Sequence, residues 1–253
     1  MRRVVITGIA PVSTHGIGKN NFFKNLMKKH MILSEIPEEY EKHYKFRSRY
    51  FVPKANVEVE NSTFMEEMSR LAVKSALLAT EDANLQNISE CGVIIGVGMG
   101  SLKSGLKSYE AHINGVERYN RMCIPMLMPN SAAAWVAIAL GTHGICHTVN
   151  AACSSGSVAV GEAFLHIKNG RSNCILAGGS ESLEDGTGAI MRGFDMLTTL
   201  TTSQDGVPRP FSKDRSGFLF NMGAACTLVL EELTHARNRG AEIYAEIIDY
   251  KEN

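Results

Sequence analysis

The chain has 253 residues, enough for one large domain or two small ones, with 44% hydrophobic and 21% charged residues, as soluble globular proteins have. Its 26 basic and 26 acidic residues cancel, which argues against a nucleic-acid binder or a polybasic membrane binder. No stretch approaches the roughly 20 apolar residues of a membrane span, and the opening "MRRVVITGIAPVSTHG" has too short an apolar run, interrupted at Gly8, for a secretory signal. Six scattered cysteines, with no C-x-x-C and no Cys/His metal spacing, fit a reduced, cytoplasmic protein.

In chain order, "RRVVITGI" predicts a buried strand, "APVSTHGIG" a loop and "KNNFFKNLMKKH" a helix. Residues 34–61 are polar, charged and aromatic without a period, and predict an irregular surface excursion. "STFMEEMSRLAVKSALLATEDANL" is the clearest helix, with Ser62 as candidate N-cap and apolar residues at 64, 68, 71, 72, 76 and 79. "CGVIIGVG" predicts a strand, residues 101–112 and 131–140 helices, 145–150 a strand, 154–169 a helix and 173–178 a strand. A loop-rich stretch to 219 precedes a strand at 225–231, a helix at 232–239 and a strand at 243–250. Alternating strands and helices predict an α/β protein with a mostly parallel sheet covered on both faces. Nothing divides the chain, so one domain over 1–253 is expected, with surface insertions near 34–61 and 101–130.

"GVGMGS" (96–101) is G-x-G-x-G rather than G-x-G-x-x-G, and "GIGKN" (16–20) lacks P-loop spacing. Both read as close backbone packing at strand ends. No G-x-S-x-G elbow occurs, and His143 and His147 read as structural. No metal and no cofactor is called for.

"NAACSSGSVAVGEA" (150–163) sets Cys153 where an extended segment turns into a helix, among residues that scarcely fill space. A helix beginning at Ser154 would aim unpaired N–H groups and a partial positive charge at the thiol, favouring a thiolate and receiving an oxyanion. Its small neighbours leave room for a substrate carbonyl. Free cysteines are more often core filler, so on the residues alone nucleophile and filler stand level.

The stretch "NAACSSGSVAVGEAFLHIKNGRSNCILAGGSES" resembles the active-site segment of β-ketoacyl synthases, the condensing enzymes of fatty-acid and polyketide synthesis. "RRVVITGIAPVSTHG", "CGVIIGVGMGSL", "GFDMLTTLT", "RPFSKDRSGF" and "LVLEELTHARNRGAEIYAEI" resemble further segments of the family in the same order. The resemblance implies a thiolase-like fold, here its N-terminal βαβαβαββ half with a mixed five-stranded sheet covered by helices. It implies acyl transfer to Cys153, then decarboxylative Claisen condensation with a malonyl thioester. It puts Met99 and Phe194 along the acyl pocket, residues 126–128 near a dimer partner, and Arg121 and Arg209 at positions that contact acyl carrier protein. It also implies a homodimer or heterodimer paired through residues 144–151, with no nucleic acid and no membrane insertion.

The resemblance ends at Asn253, where the family's second half would begin. The histidines and lysine of that half are expected to be absent, and condensation by these 253 residues alone incomplete. The turn "NMGAAC" (221–226) carries Asn221 where the family has glycine, which predicts a changed turn with a positive φ. Ser216 replaces a usual acidic residue, and "VENSTFMEEM" is acidic where bacterial relatives carry a basic carrier-gripping cluster. A non-catalytic partner, like the chain-length subunits of polyketide systems, and a fragment acting only by dimerisation remain as alternatives. Cys153 argues against the former, since such subunits typically lack the cysteine.

Overall fold

The computed structural model describes residues 2–29 and 31–252. Its strands are β1 (Val4–Ser13), β2 (Gly16–Ile17), β3 (Ser34–Glu35), β4 (Tyr50–Phe51), β5 (Gly92–Gly96), β6 (Cys146–Val149), β7 (Cys174–Ser182), β8 (Gly223–Glu232) and β9 (Ala245–Ile247). Its helices are α1 (Lys19–Met27), α2 (Glu38–Glu41), α3 (Glu67–Asp82), α4 (Lys103–Ile113), α5 (Cys123–Leu127), α6 (Ser131–Leu140), α7 (Ser155–Lys168), α8 (Ala189–Met196) and α9 (Leu233–Asn238).

One sheet runs in the order β2-β1-β8-β7-β5-β6, with β9 also on β1. The five long strands are those the resemblance implies, and the short β2 and β9 extend the sheet to seven. The sheet is mixed and not mostly parallel. β5 is parallel to β6 and β7, but β8 is antiparallel to both β7 and β1. A parallel return needs a crossover packed on the sheet. The chain between β7 and β8 instead forms its own apolar cluster, where Ile190, Met191, Leu200 and Phe220 meet Phe46 and Phe51. It therefore returns to the end of the sheet it left.

Strand alternation sends one set of side chains to each face. Val93, Ile95, Leu176 and Val229 pack with Met68, Ala72, Ala76 and Ala79 of α3 and Ala132, Ala133 and Val136 of α6. Ile94, Ile175, Ala177 and Leu230 pack on the other face with Ala159, Ala163, Phe164 and Ile167 of α7. Both helical layers are rich in alanine, so helix and sheet approach closely.

Several boundaries depart from the sequence reading. Residues 10–13 continue β1 and turn back as β2, not a loop. Ser62 does not cap α3: it opens a separate 3-10 turn, Ser62–Phe64, and α3 starts at Glu67. Glu66, at the cap position, makes no cap bond there, because its carboxylate accepts the Ser104 N–H at the start of α4, at 2.6 Å. Residues 34–61 lie mostly at the surface but are anchored to the body, since Phe46 and Phe51 are buried. The loop-rich reading from the strand at 173–178 to 219 missed the end of β7, which runs to Ser182, and α8, which the Asp185 carboxylate starts by accepting the N–H groups of Thr187, Gly188 and Ile190. Asn221 has no positive φ; its side-chain oxygen accepts the Gly223 N–H at 2.9 Å and tightens the entry to β8 that way.

Candidate active site

β5 and β6 end side by side, with Gly96 aligned to Val149 and to Gly179 of β7, which runs on to Ser182. The start of α7 rests on those ends. A Cβ on Gly96 would lie 2.1 Å from the Ser155 carbonyl oxygen, and one on Gly179 would lie 3.1 Å from the Gly156 Cα. No larger residue fits between the helix and the two strands, which is why the segment around Cys153 is built of Ala, Ser and Gly.

The turn that carries Cys153 is a 3-10 turn, Ala152–Ser154, entered through Ala152 at φ +50°. A non-glycine residue there is strained, and the surroundings hold it. The Ser155 hydroxyl oxygen accepts the Ala151 N–H at 2.8 Å and donates to the Ala152 carbonyl at 2.6 Å. Ser154 Oγ donates to the Ala151 carbonyl at 2.7 Å. Asn150 Nδ2 donates to the Gly98 carbonyl at 2.9 Å and ties the turn to the loop after β5. The backbone N–H groups of Ser154 and Ser155 donate to Ala151 and Ala152. The 3-10 turn thus consumes two donors that a bare helix start would have left aimed at the thiol.

Glu181, near the end of β7, holds the facing loop. Its Oε2 accepts the N–H groups of Gly98 and Met99, and its Oε1 that of Gly100, each at 2.8 Å. Three converging N–H groups make a concave anion seat, filled here by the chain's own carboxylate. The sequence reading singled out neither Glu181 nor Asn150. The available signal for Glu181 was an acidic residue closing the small and apolar strand "CILAGGSES".

Between these elements lies a cavity of about 510 Å³ lined by Cys153, Met99, Phe194, Leu183 and Phe218, among others. That volume falls within the range of small-molecule sites. Phe194 meets Phe218 edge to face at 5.5 Å, and Cys153 and Met99 are exposed. The cavity brings together Cys153, Met99 and Phe194, three of the five residues selected from sequence. No Lys, Arg or His lines it among the described residues. Arg121 and Arg209 lie outside it. Arg121 is exposed between α4 and α5. Arg209 folds onto its own loop, donating to Asp205 Oδ1 at 3.1 Å and pairing a second time with Oδ2 of the same carboxylate. Arg209, first of all, holds the Asp205 carboxyl far below the ordinary carboxylate range.

The chain as a whole, rather than this turn alone, is similar to known proteins. The chain is 32% identical over 260 residues to 3-oxoacyl-[acyl-carrier-protein] synthase 2 of Staphylococcus aureus, covering 98% of this chain and 62% of that protein. It is 33% identical to a Schizosaccharomyces pombe protein named for a mitochondrial 3-oxoacyl-[acyl-carrier-protein] synthase, covering 99% of this chain and 63% of that one. The chain therefore spans somewhat under two thirds of the curated relatives it matches. Among solved structures, a β-ketoacyl synthase of Burkholderia phymatum superposes with a TM-score of 0.82 at 29% identity, over 98% of this chain and 63% of that one. The ishigamide ketosynthase/chain length factor does so with a TM-score of 0.84 at 26% identity, over 98% and 62%. A third is a type II polyketide ketosynthase in complex with its acyl carrier protein, at 0.79 and 28%, over 97% and 62%. Residues 1–236 match the family described as "Beta-ketoacyl synthase, N-terminal domain". This match over nearly the whole chain, with the structural likeness above, shows that the chain belongs to the β-ketoacyl synthase family and carries its N-terminal domain.

Proposed function

We propose that this chain supplies the acyl-accepting site of a β-ketoacyl-[acyl-carrier-protein] synthase of fatty-acid or polyketide synthesis, with Cys153 as nucleophile. The observation that carries this reading is the exposed Cys153 on the strained turn, opening on a cavity walled by Met99, Phe194 and Phe218. Cys153 Sγ attacks the carbonyl carbon of an acyl thioester and a new C–S bond forms. The bond to the carrier's thiol breaks, and that thiol leaves with the proton Cys153 gave up. The acyl tail lies along Met99 and the two phenylalanines, whose edge-to-face contact keeps the wall rigid. Glu181 acts as a positioning residue: it fixes the Met99 loop against the cysteine turn.

In the second half-reaction a malonyl thioester loses carbon dioxide and its carbanion attacks the acyl carbonyl carbon; a C–C bond forms, the C–S bond to Cys153 breaks and Cys153 leaves as the thiolate. That step needs cationic or imidazole side chains to stabilise the developing enolate, and no Lys, Arg or His lines the cavity among the described residues. The reading therefore assigns acyl transfer to this cavity and condensation to the larger assembly. Acyl carrier protein is the partner, with Arg121 the freer of the two proposed contacts because Arg209 is engaged by Asp205. β6, at the end of the sheet, is the edge through which two chains would pair. The cytoplasm is the compartment this reading favours. No helix among the described residues is long and apolar enough to cross a membrane.

The test is intact-mass analysis after incubation with an acyl-[acyl-carrier-protein]. One acyl adduct, mapped to Cys153 and lost in Cys153→Ala, is expected. An adduct on another residue, or none at any carrier concentration, overturns the assignment and favours a non-catalytic partner subunit.

A further inference from the structure

A second cavity, of about 620 Å³, lies at the amino ends of β5, β6 and β7, at the opposite end of the sheet from Cys153. Cys91, immediately before β5, and Cys174, the first residue of β7, both line it. Gly92 is aligned with Ile175 across these parallel strands, so Cys91 and Cys174 occupy the register position just before. Neighbouring strands bring such residues to a Cα separation of about 4.8 Å. A disulfide accepts roughly 4.4–6.8 Å. The two side chains share a face, since both belong to the cluster that holds Val93 and Leu176, each two residues further along its strand. The thiols are neighbours: the Cys174 thiol is pushed well up, first by the Cys91 thiol beside it and then by burial.

No other cysteine competes. Gly144 occupies the β6 side of Cys91, and Cys146 lies alongside Val93, two positions on. That puts Cys146 roughly 8 Å from Cys91 by strand spacing, beyond disulfide reach. Cys226 pairs with Gly179, near the far end of β7. Cys91 and Cys174 are 2% and 4% exposed, so bulky reagents are shut out, while the cavity gives a small oxidant access to both.

We propose that Cys91 and Cys174 form a redox pair that a hydroperoxide converts into an intrachain disulfide between β5 and β7. One sulfur attacks a peroxide oxygen, the O–O bond breaks, and a sulfenic acid forms with release of one water from hydrogen peroxide. The second thiol attacks the sulfenic sulfur, the S–S bond forms and a second water leaves. Two thiols lose two electrons, and the peroxide is reduced to water. A dithiol reductant reverses the bond, as a redox pair in a reducing compartment requires. The link ties the starts of the two strands whose far ends carry the Gly98–Gly100 loop and Glu181.

The purified full chain is treated with hydrogen peroxide, its remaining thiols are blocked with N-ethylmaleimide, and it is mapped by peptide mass spectrometry with and without dithiothreitol. A cross-linked peptide joining Cys91 to Cys174 is expected. It should disappear on reduction, and the oxidised chain should unfold at a higher temperature than the reduced one. Cys91→Ser should abolish the cross-link, and the map of the unmodified chain decides even where that variant fails to fold. Recovery of Cys91 and Cys174 as separate blocked thiols or separate sulfinic acids, or a link from Cys174 to Cys146, overturns the proposal.

Discussion

Cys153 is set apart from the five other cysteines by where its turn puts it. Cys91, Cys123 and Cys174 are buried, while Cys146 and Cys226, though exposed, have thiols that desolvation by the surrounding protein pushes up. Brief iodoacetamide treatment near neutral pH should therefore label Cys153 first, as read by peptide mapping. Labelling no faster than Cys91 or Cys174 would remove the physical basis for a nucleophile there. Glu181 gives a second prediction at this scale. Glu181→Ala strips three N–H groups of their acceptor and should cost about 2 kcal/mol in a denaturant melt. It should also slow acylation of Cys153, because the Met99 loop loses its anchor. The sequence marked Cys153 through its small neighbours. It did not mark Glu181, whose partners lie in the loop after β5, at a separation of 81–83 positions.

Among the elements, α9 is fastened to the sheet by two carboxylates of β8: Glu232 caps it by accepting the His235 N–H at 2.9 Å, and Glu231 takes the His235 side chain. Glu231 on β8 is fully buried, accepts from His235 Nδ1 at 2.7 Å and Arg239 Nε at 2.9 Å, and also meets Thr7. Burial alone would raise its carboxyl, but Arg239, Thr7 and His235 outweigh that and hold it below its ordinary value of 4.5. The contribution to stability is thus present above pH 4.5 and lost as pH falls through the lower folded-state value. Glu231→Gln should cost about 3 kcal/mol at neutral pH. Thermal melts should then show less loss on acidification than the unmodified chain; an unchanged acid profile would exclude Glu231 as the titrating group. β6 is the other element with a consequence. It ends the sheet with one edge unpaired among the described residues, and such an edge invites a second strand. Val149 packs toward α7, so a disrupting charge belongs at the exposed Cys146. Cys146→Lys should lower the self-association seen by light scattering while leaving the melt in place. Association unaffected by the lysine would rule β6 out as the contact.

At the scale of the molecule, one face is left open. Ile9, Pro11, Phe22, Ala224 and Cys226 line an apolar groove of about 570 Å³, with Phe23, 63% exposed, at its rim. Apolar surface of this kind marks an interaction site or an aggregation liability. The purified chain should therefore bind a hydrophobic dye such as ANS strongly, and Phe23→Ser should reduce the signal; weak binding by the unmodified chain would show the face is covered. The sequence by itself determined what depends on local periodicity and composition. The core helices α3, α6 and α7, the strands β5, β7 and β8, and the cysteine at a strand-to-helix junction were all legible, because 3.6- and 2-residue patterns and small residues are written locally. The mixed direction of the sheet came from the resemblance and from the tertiary structure and not from the local patterns, which predicted a mostly parallel sheet, because pairing depends on how the 183–222 segment returns and not on the pattern within any strand. Tertiary structure alone decided the displaced start of α3, where the Glu66 carboxylate that could have capped the helix is bound to Ser104 instead. It likewise brought Glu181 to the loop it holds and Cys91 to Cys174, because both pairings depend on the register between strands far apart in the chain.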